Sequence, residues 1–396
     1  MPAREASSVA ARLSERTRFW ILVIIVSISG FSQGMLLPLI SVIFEQDGIS
    51  STLNGLNATG LYIGTLLISP FMEAPLRRFG YKPVIVVGGL TVFLALFLFP
   101  LYKSVTFWFI LRLLIGMGDN ALHFATQTWI TSTSPQARLG RNIAVYGLMF
   151  SAGFAVGPLF VPMIGIFEGL PFIVSGALCM AAWSLVFFLD NDRPEAVQEK
   201  EAAMPFHKRV LTTMKYAWVA FIPPFGYGFL ESSLNAIYPV YALRTGIDVG
   251  MVSVILASFS VGAILSQIPL GMLSDRIGRR NVLLLALIGG TVAFLGGGLA
   301  GSSEWGVLAA VMIAGMLVGS TFTLGIAYMT DLTPKPFLPM GNLLCGIFFS
   351  IGSLTGPILG GVIVESGTDY LTFISLFVAA LFAVFLFGRT KPIKAY

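Results

Sequence analysis

The chain has 396 residues, 56% of them hydrophobic and only 11% charged, against roughly 25% charge in an ordinary soluble protein. Its 24 Lys and Arg and 19 Asp and Glu cannot coat a water-soluble fold of this length, so lipid is the solvent for most of the chain. A net charge of +5 would suggest nucleic acid in a soluble chain. Here an excess of basic residues on one membrane side accounts for it, and no nucleic-acid partner is expected. Cys179 and Cys345, the two cysteines, lie inside apolar runs, which excludes a disulfide framework and a cysteine metal cluster.

Twelve apolar stretches follow in chain order, near 19–44, 53–72, 84–101, 105–133, 142–164, 171–189, 215–243, 249–272, 282–300, 305–330, 342–364 and 371–388. Each has the length needed to cross a hydrocarbon core of roughly 30 Å. The first is far longer than the roughly 7–15-residue apolar core of a signal peptide, so it is read as a span. An even number of spans places both termini on one side. Among the basic residues, only Lys103 and Arg244 fall in loops on the opposite side, where Glu45, Asp47, Glu168, Asp248, Glu304, Glu365 and Asp369 collect, and only Arg112 lies deep within a span. The basic side is therefore expected to be cytoplasmic and the protein to be multi-pass in the cell membrane.

The expected organisation is a cytoplasmic tail over 1–18, a six-helix bundle over 19–189, a flexible polar linker over 190–214, a second six-helix bundle over 215–388 and a cytoplasmic tail over 389–396. The bundles repeat with a period of about 199: Pro38 matches Pro239, Gly80 matches Gly278, and Pro135 matches Pro334. Gly153, Gly157 and Pro158 likewise match Gly352, Gly356 and Pro357. The fold class is thus an all-α membrane protein, with twelve transmembrane helices in two pseudo-symmetric bundles.

The loop after span 8 reads Gly271-Met-Leu-Ser-Asp275-Arg276-Ile-Gly278-Arg279-Arg280. Gly271 would let two helices approach, Asp275 would pair with a basic group or a helix N-terminus, and Gly278 would supply a tight turn. The order Gly-x-x-x-Asp-Arg-x-Gly-Arg-Arg resembles the signature loop of the major facilitator superfamily, and here it is complete. The equivalent loop of the first half, Glu73-Ala-Pro-Leu-Arg77-Arg78-Phe-Gly80, puts Glu73 where Gly is usual and Arg77 where Asp is usual. Glu73 stands four residues before Arg77, an ion-pair spacing on a helix that Pro75 interrupts. The resemblance implies a gating role for these loops. In span 5, Gly153-Phe-Ala-Val-Gly157-Pro158 resembles the Gly-x-x-x-Gly-Pro motif of the drug:proton antiporter branch, with Val161-Pro162 in place of the usual Gly-Gly. Span 11 carries the fuller Gly352-Ser-Leu-Thr-Gly356-Pro357-Ile-Leu-Gly360-Gly361. Small residues four apart allow close packing and proline bends a span, so a rocking interface between the halves is the expected use.

Span 4 holds Arg112, Gly116, Asp119, Asn120, His123 and Gln127, which at 100° per residue fall within an arc of about 100°. An unpaired charge in hydrocarbon costs several kcal/mol, so this stripe is expected to face a hydrated cavity or another span. Arg112-x-x-x-Gly116-x-Gly118 also resembles the family's span-4 motif, whose arginine is implicated in proton coupling. Asp119 and His123, four apart, form the candidate titrating couple; a structural Arg112–Asp119 pair is the plainer alternative. Span 7 places Tyr227, Glu231, Asn235 and Tyr238 on one face. Glu231 has no basic neighbour in its span, which suits a proton exchanger, a site for a cationic substrate or a partner for Arg112. Gln33, Trp129 and Tyr328 are further cavity candidates.

No Walker loop, nucleophile elbow or His-Glu-x-x-His occurs, so no enzyme, cofactor or metal site is expected. Residues 19–388 resemble a secondary transporter with a midplane site between its halves, working as a monomer on a small molecule. The favoured activity is proton-coupled efflux of an amphipathic organic compound or drug. Arg112, Asp119, His123 and Glu231 would couple the proton, and Gln33, Asn120, Gln127, Trp129, Tyr227, Asn235, Tyr238 and Tyr328 would line the cavity. The gate would comprise Glu73, Arg77, Arg78, Gly80, Gly271, Asp275, Arg276, Gly278 and Arg279. A sugar or metabolite carrier is the alternative, with a lipid flippase or a non-transporting receptor behind it.

Overall fold

The computed structural model describes residues 15–135, 138–193, 205–301 and 303–388. Most of the expected N-terminal tail, the middle of the linker and the C-terminal tail lie outside the described residues. All regular elements within them are helical: α1 (Glu15–Gln46), α2 (Ser51–Ile68), α3 (Glu73–Phe79), α4 (Tyr81–Leu98), α5 (Val105–Thr133), α6 (Leu139–Val156), α7 (Leu170–Ser184), α8 (Phe206–Ala217), α9 (Ile222–Arg244), α10 (Val249–Ile277), α11 (Arg279–Leu299), α12 (Glu304–Val318), α13 (Thr321–Leu332), α14 (Leu338–Glu365) and α15 (Tyr370–Phe387). Ten segments among the described residues are long and apolar enough to cross a membrane by length and composition. The expected spans 2 and 7 fall short of that apolarity because α2 carries Asn54 and Asn57 and α9 carries Glu231, Ser232, Ser233 and Asn235.

Local chemistry sets the helix ends. Asp248 caps α10, its Oδ1 accepting from the N–H groups of Gly250 (2.7 Å) and Met251 (3.2 Å), and Asp369 caps α15 by accepting from Thr372 N–H at 2.6 Å. Gly80 and Gly278, equivalent in the repeat, have φ of 93° and 90°. That left-handed turn excludes a Cβ without strain and reverses the chain between α3 and α4 and between α10 and α11.

Three expected elements differ. Residues 206–217 of the expected linker and span 7 form the amphipathic helix α8, whose Val210 and Met214 pack on the core of the second half. The span proper starts at Ile222, because Pro223 and Pro224 lack the N–H groups that a first helical turn leaves unbonded anyway. Span 10 is two helices, broken at Gly319-Ser320, where Thr321 Oγ1 donates to Val318 O (2.6 Å) and Thr323 Oγ1 to Ser320 O (3.0 Å) in competition with the helix ladder. Span 5 tightens into a 3-10 helix over Gly157–Gly165, where Pro158 and Pro162 each remove a backbone donor. Its counterpart α14 has only Pro357 inside it and stays α-helical.

The chain divides into two compact units. The first comprises Met1–Gly34, Ile63–Gly157 and Met163–Val197; the second comprises Met35–Tyr62, Pro158–Pro162 and Gln198–Tyr396. The repeat is visible inside each as the same contacts made twice. In the first unit a Cβ on Gly30 would strike the carbonyl of Phe150, and one on Gly153 the carbonyl of Ser27. In the second, Gly228 meets the carbonyl of Phe349, and Gly352 that of Phe225. Lys82 Nζ donates to Leu189 O at 2.7 Å, and Arg280, its equivalent, donates to Leu386 O at 2.9 Å, each closing the end of the last helix of its half.

These contacts correct the expected use of the span-5 and span-11 motifs. Gly153 packs α6 on α1, and Gly352 and Gly356 pack α14 on α9, so these glycines join helices of the same half. Two other residues of the span-11 motif meet α2 within the second unit, the Pro357 carbonyl against Gly55 and Gly361 against the Ser51 carbonyl. Because lipid offers helices no hydrophobic drive to associate, such backbone approach is where their packing energy comes from. Gly352→Ala should therefore destabilise the protein by about 1–3 kcal/mol. Gly346→Ala, one helix face away in open space, should be neutral or stabilising by up to about 1 kcal/mol. Thermal unfolding in one detergent checks the pair.

Candidate functional site

In the first unit a buried polar chain runs across α1, α5 and α6. Ser29 Oγ donates to Asp119 Oδ1 at 2.7 Å and lies 3.1 Å from His123 Nε2; His123 Nδ1 lies 2.8 Å from the hydroxyl of Tyr146. Ser29 has a single O–H, so with that proton on Asp119 its oxygen accepts from His123 Nε2–H, and the bare Nδ1 accepts from Tyr146 O–H. The four groups thus form one directed line of hydrogen bonds, in which moving a proton at either end reverses every donor. Gln33 stands beside Asp119, and a cavity of about 20 Å3 bordered by Ser29, Asp119 and Cys179 has room for one water. Phe150 meets the His123 ring edge-on at 5.0 Å. Arg112, on the same helix, is wholly buried.

The second unit holds Glu231 on α9. Tyr227 O–H donates to Glu231 Oε1 at 3.3 Å, and Asn235 Nδ2 donates to the Glu231 backbone carbonyl at 2.8 Å. The Tyr227 ring lies 6.1 Å from Phe322 and 6.2 Å from Phe349, which are 5.2 Å from each other. Among the described residues Glu231 makes no ion pair, so a standing basic partner for it is not realised. Glu231 is thus a partly buried carboxylate bonded to a tyrosine whose own ring packs in an aromatic cluster.

Other expected cavity residues are placed elsewhere. Trp129 is fully buried at the basic end of the first unit, stacked on Tyr81 at 5.3 Å and donating to Asp192 Oδ2 at 3.1 Å. Asn120 donates to Thr65 O (3.1 Å) and Ser69 Oγ (2.8 Å) and so fastens α5 to the end of α2. Tyr238 has no exposed surface and packs with Tyr241 and Tyr370. Tyr328 packs edge-on against Phe385, while Gln127 is exposed. Trp129, Asn120 and Tyr238 are therefore corrected from cavity to packing roles in this conformation, because their polar atoms or their surfaces are already committed.

At the basic loops Asp275 lies 4.0 Å from Arg279, whose Nε is 3.2 Å from Asp331. Gly271, expected at a close approach, has nothing within 4 Å of where a Cβ would sit, so that reading is corrected too. Glu73 and Arg77 do pair: Pro75 sits in the first turn of the new helix α3, where a missing N–H costs nothing. Arg78 lies over its neighbour Phe79, 5.2 Å from the ring centroid, and Arg276 is exposed in the last turn of α10.

A second cluster, on the acidic side, was not expected. Arg244 grips Glu45 through both oxygens, Nε–Oε1 2.8 Å and NH2–Oε2 3.1 Å, and lies 3.8 Å from Glu365. Glu365 in turn accepts from the Ser51 backbone N–H at 2.9 Å and from its hydroxyl at 2.5 Å. Deeper, Ser41 Oγ (2.6 Å) and Asn54 Nδ2 (2.9 Å) both donate to the carbonyl of Ala236. Together these bonds latch the α1–α2 hairpin onto α9 and α14 within the second unit. The available signal was that Arg244 is a rare basic residue on the acidic side, 199 positions from Glu45, one repeat away. Ser29 and Tyr146 gave none, being single polar residues in otherwise ordinary spans.

A model of the Major Facilitator Superfamily matches this chain over residues 22–242 and again over 220–395. The uncharacterized MFS-type transporter YfkF of Bacillus subtilis (strain 168) is 53% identical over 386 residues, 96% of this chain and 98% of that protein. The multi-drug resistance efflux pump PmrA of Streptococcus pneumoniae serotype 4 (strain ATCC BAA-334 / TIGR4) is 23% identical, covering 93% of this chain and 95% of the pump. Among solved structures, the nucleoside transporter NupG superimposes with a TM-score of 0.78 at 14% identity, over 93% of this chain and 98% of that one. A bacterial homolog of the human lysosomal transporter Spinster, in an inward-facing and unoccupied conformation, gives 0.69 at 15%, over 94% and 93% of the two chains. At such identities these likenesses speak for the fold alone.

The latch rests on partly exposed ions, 36% and 19% accessible for Arg244 and Glu45, and such a pair contributes at most about 1 kcal/mol. Arg244→Gln should accordingly speed maleimide labelling of a Ser41→Cys reporter by up to about fivefold. The exchanged pair Glu45→Arg with Arg244→Glu should return the rate toward that of the parent.

Proposed function

The chain belongs to the major facilitator superfamily, and on that premise we propose that it is a proton-coupled exporter of amphipathic organic cations. The observation that carries this reading is Glu231, a carboxylate with no ionic partner among the described residues, bonded to Tyr227, whose ring clusters with Phe322 and Phe349. The site is neutral with either a proton or a lipophilic cation on the carboxyl group, and the cation displaces the proton as it binds. One carboxyl group thus carries either proton or cargo, which couples the two flows. Tyr227 O–H donates to the ionised form and keeps it aimed at the rings.

The chain from Asp119 through Ser29 and His123 to Tyr146 serves, in this reading, as the route by which a proton moves through the first unit. The latch from Glu45 to Arg244 closes the outer side while the site loads, and its modest strength lets it open once the cargo is seated. The basic loops face the cytoplasm of the cell membrane, in keeping with the charge bias. Kinship with multidrug efflux pumps supports export of drug-like compounds. A sugar carrier is less favoured because Asn120, Trp129 and Tyr238, the polar and aromatic groups such a site would use, are committed elsewhere.

In proteoliposomes with an imposed pH gradient, Glu231→Gln should lower transport of a lipophilic cation such as ethidium by tenfold or more, the loss of a charge-assisted contact of about 1.5–3 kcal/mol. Ser29→Ala should lower gradient-driven transport while leaving gradient-free exchange of the cation intact. Full gradient-driven transport by both Glu231→Gln and Asp119→Asn would rule out the coupling scheme.

A further inference from the structure

A cavity of about 730 Å3 opens at the basic end of the first unit, between the start of α1, the end of α5 and the start of α6. Four guanidiniums, those of Arg16, Arg18, Arg138 and Arg141, border it, against one carboxylate, Glu15. Arg18 is already neutralised by Asp192 at 2.9 Å and lies over the Trp129 ring. Arg16, Arg138 and Arg141 form no ion pair among the described residues. Two of them stand against the local field: Arg138 is the N-cap residue of α6 and Arg141 lies in its first turn, which holds no acidic residue. Cations at the positive end of a helix dipole repel it, and the arrangement is relieved only by an anion among them. Phe19, Leu22, Ile130 and Val145 give the wall an apolar part, Thr133, Ser134 and Asn142 a neutral polar one, and Trp20 is 43% exposed.

A topological bias of basic residues needs only charge on the correct side. It does not need three arginines left unpaired around one cavity, two of them on a helix N-terminus, with an apolar floor and an exposed tryptophan below. We propose that this cavity binds a phosphate-bearing anion, its charge held by Arg16, Arg138 and Arg141 and its apolar portion by the Phe19, Trp20 and Val145 wall. An acidic phospholipid of the adjoining leaflet has that chemistry, as has a free phosphate compound. The volume, within the roughly 300–1,000 Å3 of small-molecule sites, admits a headgroup and the first carbons of its chains.

The test uses the full-length purified protein presented with equal amounts of phosphatidylglycerol and phosphatidylcholine, counting retained lipids by native mass spectrometry. A parallel arm measures thermal unfolding with and without millimolar inorganic phosphate. Wild type is expected to retain phosphatidylglycerol in preference. Arg138→Gln with Arg141→Gln should cut that preference by about fivefold per arginine, and Arg138→Lys with Arg141→Lys should keep most of it. If phosphate raises the unfolding temperature in wild type but not in the Gln variant while both lipids are retained alike, the anion is a soluble phosphate compound. Equal retention of both lipids by wild type with no phosphate effect overturns the proposal, as does a folded Gln variant that matches wild type in both arms.

Discussion

Hydrocarbon supplies neither a hydrophobic force to bring helices together nor a partner for a polar group, and the whole arrangement of this chain answers those two deficits. The first is met by bringing backbones into contact: Gly30, Gly153, Gly228 and Gly352 each stand where a Cβ would collide with a carbonyl of the neighbouring helix. Because the same contacts occur in both halves, each half is built by one recipe and holds its helices stiffly. The second is met by pairing polar groups with one another. Ser29, Asp119, His123 and Tyr146 are linked by hydrogen bonds across three helices, and Asn120 and Asn235 serve backbone carbonyls.

The second rule is relaxed in two places. Glu231 has a tyrosine in place of a counter-ion among the described residues, which is why the proposed exchange of proton and cargo is placed there. The latch on the acidic side is relaxed in another sense, since its ions are part-exposed and weak. A pair of this exposure contributes at most about 1 kcal/mol to holding the α1–α2 hairpin on α9.

Much of this was legible in the sequence because it is written at short range. Span 4 was read as 105–133 and α5 runs Val105–Thr133, since apolar length and polar flanks suffice to place a span. Tyr227, Glu231 and Asn235 share a face by helical spacing, and both turn glycines follow from the repeat. The break at Gly319-Ser320 was hidden because hydroxyl side chains capture carbonyls without lowering apolarity much. The partners of His123 and Arg244 were hidden for a deeper reason. Ser29 lies 94 residues from His123, a separation that no periodicity links, and the 199 residues from Glu45 to Arg244 are one repeat, which aligns the two positions without saying that their side chains meet. The misplacement of Trp129 and Gly271 has the same origin, because a residue type says what it can bond and only the fold says what stands beside it.

The central claim is that Glu231 gives up its proton as the organic cation binds. Proton release can be read directly, with a pH-indicating dye in weakly buffered detergent solution, as ethidium is added to the purified protein. A proton released for each cation bound by wild type, and none released by a folded Glu231→Gln variant, is the result this account predicts. Equal release from the two proteins would contradict it.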